Sequence, residues 1–389
     1  MATTATETGF DLTLTEEQEL AQRAARDFAT EKILPRAAEI DDQGKIPPEL
    51  LREIGALGFM GTYVPERYGG SGLDALSYVL IVEEINRACA STGVVLCSHV
   101  SLAVDPILHH GSDAQKEKYL PKLARGEWIG CFALSEPASG SDAAAMRTSA
   151  RRDGDTWILN GTKNFITNGS LSNLAIVFAQ TDPGQKRKGI AAFIVEKGTP
   201  GFSVGKLEKK LGIRGSDTAQ LIFQDARVPA ANLLGEVSEG YKIALSTLDG
   251  GRISIAAQAV GIARACLEDS IAYAKQREAF GKKVADFQAI QWMLADMATE
   301  IDAARLLTWR AAAMKDARED YILAAAEAKL FASDVAVKAS RDCVQIFGGY
   351  GYLKDFPAER HYRDAKITEI YEGTSEIMKL VIAEEIFKE

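Results

Sequence analysis

The distribution of proline constrains the fold of this chain more than any other feature of its sequence. Ten of the eleven prolines lie at or before Pro229, and only Pro357 lies beyond it. Because proline breaks the interior of a helix, the C-terminal part can form long uninterrupted helices. Apolar residues recur there at three- and four-residue spacing, which predicts helices over Ile253–Gln276, Phe287–Met314 and Tyr321–Phe347.

The rest of the chain divides into a helical part and a β-rich part. From about Thr15 to Arg125 the pattern is helical, and Thr15-Glu-Glu-Gln forms a capping box before the first predicted helix. Between Cys131 and Pro229, short β-rich runs are separated by glycine- and asparagine-containing turn signals. Strands joined by turns without intervening helices predict a sandwich or small barrel.

These patterns predict an α+β fold that is mostly α. We expect an N-terminal helical domain over 1–130, a middle β domain over 131–235 and a C-terminal four-helix bundle over 236–389. The predicted N-terminal helices are Leu20–Phe28, Pro48–Leu57, Ala75–Ala90 and Asp113–Ala124. The predicted strands are Thr156–Leu159, Leu174–Ala179, Ile190–Val195, Phe202–Leu207 and Ala219–Phe223.

Composition narrows the class of protein. The 45 Lys and Arg residues oppose 54 Asp and Glu, and the net charge of −9 argues against a dedicated nucleic-acid binder. No stretch of eighteen uncharged apolar residues occurs, so we expect no membrane span. The five cysteines are scattered without a C-x-x-C pair, which is typical of reduced core residues. The four histidines fit no ligand spacing, so no metal site is expected.

The first ten residues, MATTATETGF, contain neither a basic residue nor an apolar segment of the kind found in secretory signals. They do not make a convincing organelle presequence either. We therefore expect a cytoplasmic protein, with the bacterial cytosol favoured.

Several common site motifs are absent from the sequence, among them the Walker A loop and the G-x-S-x-G hydrolase elbow. One G-x-G-x-x-A pattern occurs at Gly70–Ala75. The preceding Thr62–Tyr68 contains proline and two charged residues and does not read as a buried strand. We predict a glycine turn that caps a helix rather than a dinucleotide site.

Three segments combine polar residues and glycines in a way that suits a ligand site. Ala133–Asp142 crowds hydroxyls and backbone N–H groups into one turn, although a plain Ser-rich turn explains it equally well. Gln345–Tyr352 ends a predicted helix at a glycine cluster, which alone could be a helix stop. Glu372 precedes Gly373 and a Thr-Ser helix cap, and alone it could simply complement the helix dipole.

In this order the three segments closely resemble the acyl-CoA dehydrogenase family, and in particular its short-chain, butyryl-CoA dehydrogenase-like branch. Further matches support the resemblance, which extends from about Phe10 to the end of the chain. They are Lys163–Asn168, Lys210–Ser216, Asp249–Arg252 and Arg277–Gly281. The resemblance implies an FAD-dependent enzyme that converts acyl-CoA thioesters to trans-2-enoyl-CoA. It also implies a homotetramer that passes electrons to electron transfer flavoprotein.

The resemblance assigns roles to individual residues. Glu372 is the base that takes the α-proton, while flavin N5 accepts the β-hydride. The backbone N–H of Glu372 and a ribityl hydroxyl of FAD stabilise the thioester oxygen. Thr167 reaches N5, and Phe165 replaces a Trp of many relatives. The FAD-binding residues are expected to be Phe132, Leu134, Ser135, Ser141, Phe165, Thr167, Arg277, Phe280, Gln288, Gln345, Gly348, Gly349, Thr374 and Glu376. Of these, Arg277, Phe280 and Gln288 are expected to hold the FAD of a neighbouring subunit. The substrate-binding residues are expected to be Ser141, Asp249, Arg252, Gln258, Thr368 and Gly373.

The resemblance also bears on the base and on the substrate. Other branches carry the base just before an Arg in the C-terminal domain, where this chain has Gly251 before Arg252. The base is therefore expected at Glu372. Gln258 and Thr368 match positions that shorten the acyl tunnel, which implies acyl groups of about four to six carbons. Short branched acyl groups, a flavin oxidase on the same fold and a flavin-free acyl-CoA-binding scaffold stay open as alternatives.

Overall fold

The computed structural model describes residues 13–388; the expectation about a leader segment falls on residues 1–12, outside the described part. Helices are numbered α1 to α12 and strands β1 to β10 in chain order. The α-helices are α1 Glu16–Phe28, α2 Ala37–Gln43, α3 Pro48–Ala56, α4 Ala75–Ala88, α5 Ala90–Cys97, α6 Asp105–His110, α7 Asp113–Ala124, α8 Gly240–Gln276, α9 Gln288–Asp316, α10 Ile322–Phe347, α11 Ala358–Ala365 and α12 Ser375–Ile386. The strands are β1 Gly130–Ala133, β2 Ser149–Asp153, β3 Thr156–Thr167, β4 Leu174–Gln180, β5 Ile190–Glu196, β6 Phe202–Leu207, β7 Thr218–Pro229, β8 Leu233–Leu234, β9 Glu278–Ala279 and β10 Lys282–Lys283.

This order of helical, sheet and helical regions confirms the predicted fold class. The N-terminal helix signals also act as expected. The Thr15 hydroxyl accepts the Gln18 N–H at the start of α1, and Asp74 accepts the Ser77 N–H at the start of α4. The Gly70–Ala75 pattern is therefore a turn that leads into a capped helix.

The stretch Ala90–His110 lies in the region predicted to be helical, but no individual helix was predicted over it. It contains α5, a π-helical turn over Ser98–Val104 and α6. It is also long and apolar enough to cross a membrane, but 94% of its most apolar window is buried inside the protein, as in a core helix. An element that is apolar on all sides has no hydrophobic periodicity, which is why pattern analysis missed it.

The middle region forms one connected sheet folded into two layers. One layer has the order β6-β7-β3-β2, and the other contains β1, β4, β5 and β8. The layers join where Ser149 of β2 pairs with Gln180 of β4. Trp157 and Phe193, one from each layer, pack with ring centroids 5.3 Å apart in the interior. Strands β3 and β7 extend well beyond the predicted runs and pair antiparallel along most of their length.

The N-terminal and C-terminal helices share one hydrophobic core. Buried residues such as Ile81 of α4, Val260 of α8 and Ala336 of α10 belong to the same cluster. Helix α8 begins thirteen residues before the predicted Ile253, because burial of Gly250 and Gly251 against neighbouring elements offsets their low helix propensity. This early start puts Asp249–Arg252 on a helix.

His99 ties the helical region to the sheet. Its imidazole is fully buried in the Ser98–Val104 turn. The Gly130 N–H donates to Nδ1 at 3.1 Å, so Nε2 carries the proton and donates to the Leu123 carbonyl at 3.1 Å. Burial lowers the pKa of His99 to about 4, because the charged ring would be desolvated.

The buried His99 predicts loss of stability in acid. Between pH 6.5 and about 4 the unfolded chain binds a proton that the folded chain excludes, so folding is weakened by up to about 3 kcal/mol as pH falls. We expect His99→Gln to flatten this dependence of the unfolding temperature, and the exposed His109→Gln to leave it unchanged. Equal slopes in the wild type and in His99→Gln would contradict this.

Candidate active site

Glu372 lies at a sharp bend between a 3₁₀ turn over Lys366–Glu369 and α12. Its φ is 53° and that of Gly373 is 104°, so two successive residues adopt left-handed backbone. A non-glycine residue at positive φ is strained and persists only where its surroundings hold it. Thr374 then caps α12, its hydroxyl accepting the Ile377 N–H at 3.3 Å.

The Glu372 carboxylate packs directly against the backbone of Gly251 on α8. A Cβ atom placed on Gly251 would lie 2.1 Å from Glu372 Oε2, so only glycine leaves room for the carboxylate. Within residues 13–388, Oε2 is buried and has no hydrogen-bond partner. Burial raises the pKa of Glu372 to about 8, although the nearby cations of Lys329 and Arg252 lower it. A buried carboxylate of this kind is a proton acceptor matched to near-neutral pH.

The predicted substrate residues Asp249 and Arg252 form an ion pair one helical turn apart, with Nη1 and Oδ1 separated by 2.5 Å. Arg252 Nε is buried without a partner among the described residues, so it has a donor to offer. Gln258 is fully buried on the same helix, and its Oε1 accepts the Tyr371 hydroxyl. Thr368 is fully buried as well and donates to the Ala365 carbonyl at 2.7 Å. Helix α8 thus carries Asp249, Gly251, Arg252 and Gln258, and the Tyr371 hydroxyl that contacts Gln258 belongs to the residue directly before Glu372.

A second group of predicted residues lies on the sheet. Phe132 and Leu134 are buried in and beyond β1, while Phe165 at a bulge of β3 has φ 60° and leaves 62% of its surface exposed. Thr167 and Ser135 are partly exposed beside them. Such a combination presents an aromatic face and hydroxyl groups to a ligand.

A fully buried ion pair supports this part of the sheet. Lys163 Nζ donates to Glu136 Oε1 at 2.7 Å and to the Leu134 carbonyl at 3.0 Å. Glu136 also accepts the N–H groups of Arg147 and Thr148. The pair therefore fixes the turn after β1 against β3.

A third group lines an open cleft of about 560 Å³ at the end of α10. Arg277, Gly348 and Gly349 lie in its wall together with the stacked rings of Tyr273 and Phe347. A Cβ atom on either glycine would meet no other described atom within 4 Å, so the backbone is open to a ligand. Arg277 adds a permanent cation next to this bare backbone.

The remaining predicted residues lie outside these groups. Ser141 is exposed on the turn after β1, Phe280 is 97% exposed at the tip of the β9–β10 hairpin, and Gln288 begins α9. Gln345 and Glu376 are exposed on α10 and α12. The assignments of all predicted site residues stay predictions.

Two features of the site were missed by sequence reasoning. Lys329, in the Ala-rich middle of α10, donates to the Gly373 carbonyl, and nothing local in the sequence marks it. Glu136 and Lys163 lie inside quoted motifs, but their pairing across 27 residues becomes visible only in the fold.

The donor set fits FAD. A dinucleotide with a flat ring system needs an aromatic surface, hydroxyl and backbone donors, and a cation near open backbone for the diphosphate. Phe165 with Thr167, and Arg277 with Gly348 and Gly349, provide these features. Residues 13–388 contain no cluster of three His, Cys, Asp or Glu side chains that could hold a metal ion.

Three domain families of acyl-CoA dehydrogenases match this chain. The N-terminal domain matches residues 15–127, the middle domain residues 131–226 and the C-terminal domain residues 238–387. The chain belongs to the acyl-CoA dehydrogenase family and is an FAD-dependent oxidoreductase.

Individual relatives are similar over nearly their whole length. A short-chain specific acyl-CoA dehydrogenase of Clostridium acetobutylicum is 50% identical, over 97% of this chain and all of that protein. The human mitochondrial short-chain specific enzyme is 52% identical over 95% of this chain and 90% of its own. An NADH-dependent acryloyl-CoA reductase of Anaerotignum propionicum is 48% identical over 97% of this chain and 96% of its own.

Solved structures agree with this assignment. A chain from a study of the electron transferring flavoprotein of Acidaminococcus fermentans superposes with a TM-score of 0.97 at 50% identity, covering 97% of this chain and 100% of that one. Butyryl-CoA dehydrogenase of Megasphaera elsdenii gives 0.96 at 48% identity with the same coverage. The prolyl acyl carrier protein oxidase AnaB gives 0.93 at 33% identity, covering 96% of this chain and 100% of its own.

The contact between Gly251 and Glu372 predicts a position-specific loss of activity. Gly251→Ala places a methyl group where Oε2 lies, and we expect turnover of acyl-CoA to fall about 100-fold because a displacement of about 1 Å is costly. Gly250→Ala is the matched control, since its Cβ meets the flexible end of Lys315 at 3.0 Å and the Tyr321 hydroxyl at an ordinary contact distance of 3.9 Å. Equal turnover in the two variants would contradict the assignment.

Proposed function

We propose that this enzyme oxidises short, straight-chain acyl-CoA thioesters to trans-2-enoyl-CoA, with Glu372 as the base. The observation that carries the proposal is the Glu372 carboxylate, whose Oε2 is buried against Gly251 and lacks a partner among the described residues. The similarity to short-chain specific dehydrogenases of bacteria and mammals supports the acyl length. The similarity to a bacterial relative also supports a bacterial cytosolic location, which is part of the proposal.

In the proposed reaction Glu372 takes the proton from the α-carbon of the thioester. The pKa of about 8 that burial gives the carboxyl brings the base closer to the acidity of such a carbon than an exposed glutamate would be. The backbone N–H of Glu372 is proposed to donate to the thioester oxygen, where negative charge develops. FAD, when bound, supplies the acceptor for the hydride that leaves the β-carbon. Gly251 and Gln258 are both buried on α8, and Oε2 of the carboxylate, which lies against Gly251, is shielded from water.

We assign the flavin to the residues that fit it. Phe132, Leu134, Ser135, Phe165 and Thr167 are proposed to hold the ring system, supported by the Lys163–Glu136 pair beneath them. Ser141, Gln345, Gly348, Gly349, Thr374 and Glu376 are proposed to bind the rest of the cofactor.

We further propose a homotetramer that reduces electron transfer flavoprotein. In this assembly Arg277, Phe280 and Gln288 bind the FAD of a neighbouring subunit. An aromatic ring that is 97% exposed, as Phe280 is, supports contact with another chain. The structural similarity to a chain studied with the electron transferring flavoprotein of A. fermentans supports the acceptor.

Asp249, Arg252, Ser141 and Gly373 are proposed to bind the thioester and its pantetheine arm. Gln258 and Thr368 are proposed to close the acyl tunnel. The Gln258 side chain accepts a hydrogen bond from the Tyr371 hydroxyl and donates one to the Ala90 carbonyl at 3.5 Å. These two bonds fix its orientation, so it would limit the length of the acyl tunnel.

Glu372→Gln tests the base. Glutamine keeps the shape of the side chain but cannot accept the proton, so we expect folded, yellow protein whose turnover with butyryl-CoA falls about 100- to 10,000-fold. Glu384→Gln, on the exposed side of α12 and without an assigned role, is the control and should bind FAD with turnover within a few-fold of wild type. Near-normal turnover in Glu372→Gln would refute the assignment.

The similarity to AnaB makes a flavin oxidase the second candidate function. Anaerobic mixing with butyryl-CoA followed by exposure to air distinguishes the two. A dehydrogenase stays bleached for minutes in air, whereas an oxidase regains its yellow colour at once and forms peroxide.

Gln258 tests the acyl length. Each added methylene gains about 0.8 kcal/mol, or about fourfold, if it can be buried. We expect wild type to prefer butyryl-CoA over octanoyl-CoA, and Gln258→Ala to move the optimum of kcat/KM to longer chains. Gln258→Met keeps the length without the amide and should keep the short-chain optimum. A wild-type optimum at octanoyl-CoA or isobutyryl-CoA would contradict the straight short-chain assignment.

A further inference from the structure

Lys329 is a buried cation next to the proposed base. Its side chain is fully buried on α10, and its Nζ donates to the Gly373 carbonyl at 2.7 Å. Gly373 follows Glu372, and both residues have left-handed backbone. The hydrogen bond therefore clamps the strained bend from which the Glu372 side chain projects.

The charge of Lys329 also acts on Glu372. After burial, Lys329 has the largest effect on the pKa of Glu372 and lowers it, ahead of Arg252. In return, burial lowers the pKa of Lys329 to about 8, and Glu372 opposes that decrease. A buried ammonium is costly, so the presence of Lys329 at this place needs a compensating charge.

Other titratable groups act on this pair from the surrounding elements. They are Tyr78 on α4, Cys97 on α5, Arg252 on α8, Asp334 on α10, and Glu369 and Tyr371 before the bend. The pKa values of the two tyrosines and the thiol are raised by burial, so these groups stay neutral near pH 7. Arg252 is held by Asp249, whereas Lys329 forms no ion pair with a carboxylate within residues 13–388.

We propose that Lys329 is a positioning residue for the base: it fixes the Gly373 carbonyl, and with it the bend that aims Glu372 at Gly251, and it keeps a positive charge beside the carboxylate. This inference rests on the proposed role of Glu372. It assigns to α10 a part in catalysis that neither the cofactor residues nor the substrate residues supply.

The test is the pH dependence of kcat/KM for butyryl-CoA with a dye as electron acceptor. In Lys329→Met the carboxylate loses the cation that lowers its pKa most, so the rising limb of the pH profile should move to higher pH. At pH 7 kcat/KM should fall about tenfold for each pH unit of that movement and recover in more alkaline buffer. Lys329→Arg keeps the positive charge, so the rising limb of its pH profile should lie at the same pH as in wild type. Lys338→Met removes a half-buried lysine of the same helix, which pairs with Glu300 on α9 and not with the bend, and is the matched control.

A second measurement is independent of turnover. The infrared band of the protonated Glu372 carboxyl, identified by its loss in Glu372→Gln, should titrate at higher pH in Lys329→Met than in wild type. If Lys329→Met does not fold, Lys329→Gln removes the charge and keeps a donor, and the same two shifts are expected. A folded, yellow variant with an unchanged limb and an unchanged band overturns the proposal.

The outcome separates this inference from the proposed function. If Glu372→Gln is active, the base assignment itself fails. If Glu372→Gln is inactive while the uncharged Lys329 variants keep the wild-type limb, only the role of Lys329 fails.

Discussion

The rest of the site depends on the environment of the Glu372 carboxylate. Its Oε2 is buried and accepts no hydrogen bond from the described residues. Glu372 can occupy this position because Gly251 leaves space on α8 and because Lys329 on α10 clamps the bend beside it. Each of these contacts costs stability on its own, through a helical glycine, a left-handed glutamate and a buried ammonium. All three destabilising features lie at the Glu372 bend. Such a concentration is typical of a functional site, where reactivity is favoured over stability.

The helices supply the rigidity that such a site needs. Because α8 and α10 are long and free of proline, residues far apart in the sequence are held at fixed separation across their interface. The sheet makes a different contribution, since the buried pair of Lys163 and Glu136 fixes a turn whose hydroxyls and aromatic neighbours face outward. The helices thus hold the proposed base, and the strands hold the residues proposed to contact the flavin ring.

Much of this organisation is predictable from the sequence. Proline distribution, capping boxes and turn signals predict the helical, sheet and helical order, and the motif resemblance predicts the class of enzyme; Glu372 as the base stays a prediction. The apolar helical stretch Ala90–His110 was missed because it has no polar face, and β2 because its residues SARRD are mostly exposed and do not alternate. The contacts of Lys329 and of Gly251 with the Glu372 bend are long-range, and a lysine or glycine inside a helix carries no local signal of its partner.

The hydrophobic core shared by the first and last helical regions has a consequence for biosynthesis. Asp316 at the end of α9 accepts the N–H groups of Ala75 and Leu76, so the start of α4 is completed by a residue some 240 positions later. Helix α4 can pack early against α1 and α5, but its contacts with α8 and α9 form only after those helices have left the ribosome. Part of its apolar surface therefore stays uncovered through most of translation, which favours aggregation of the newborn chain.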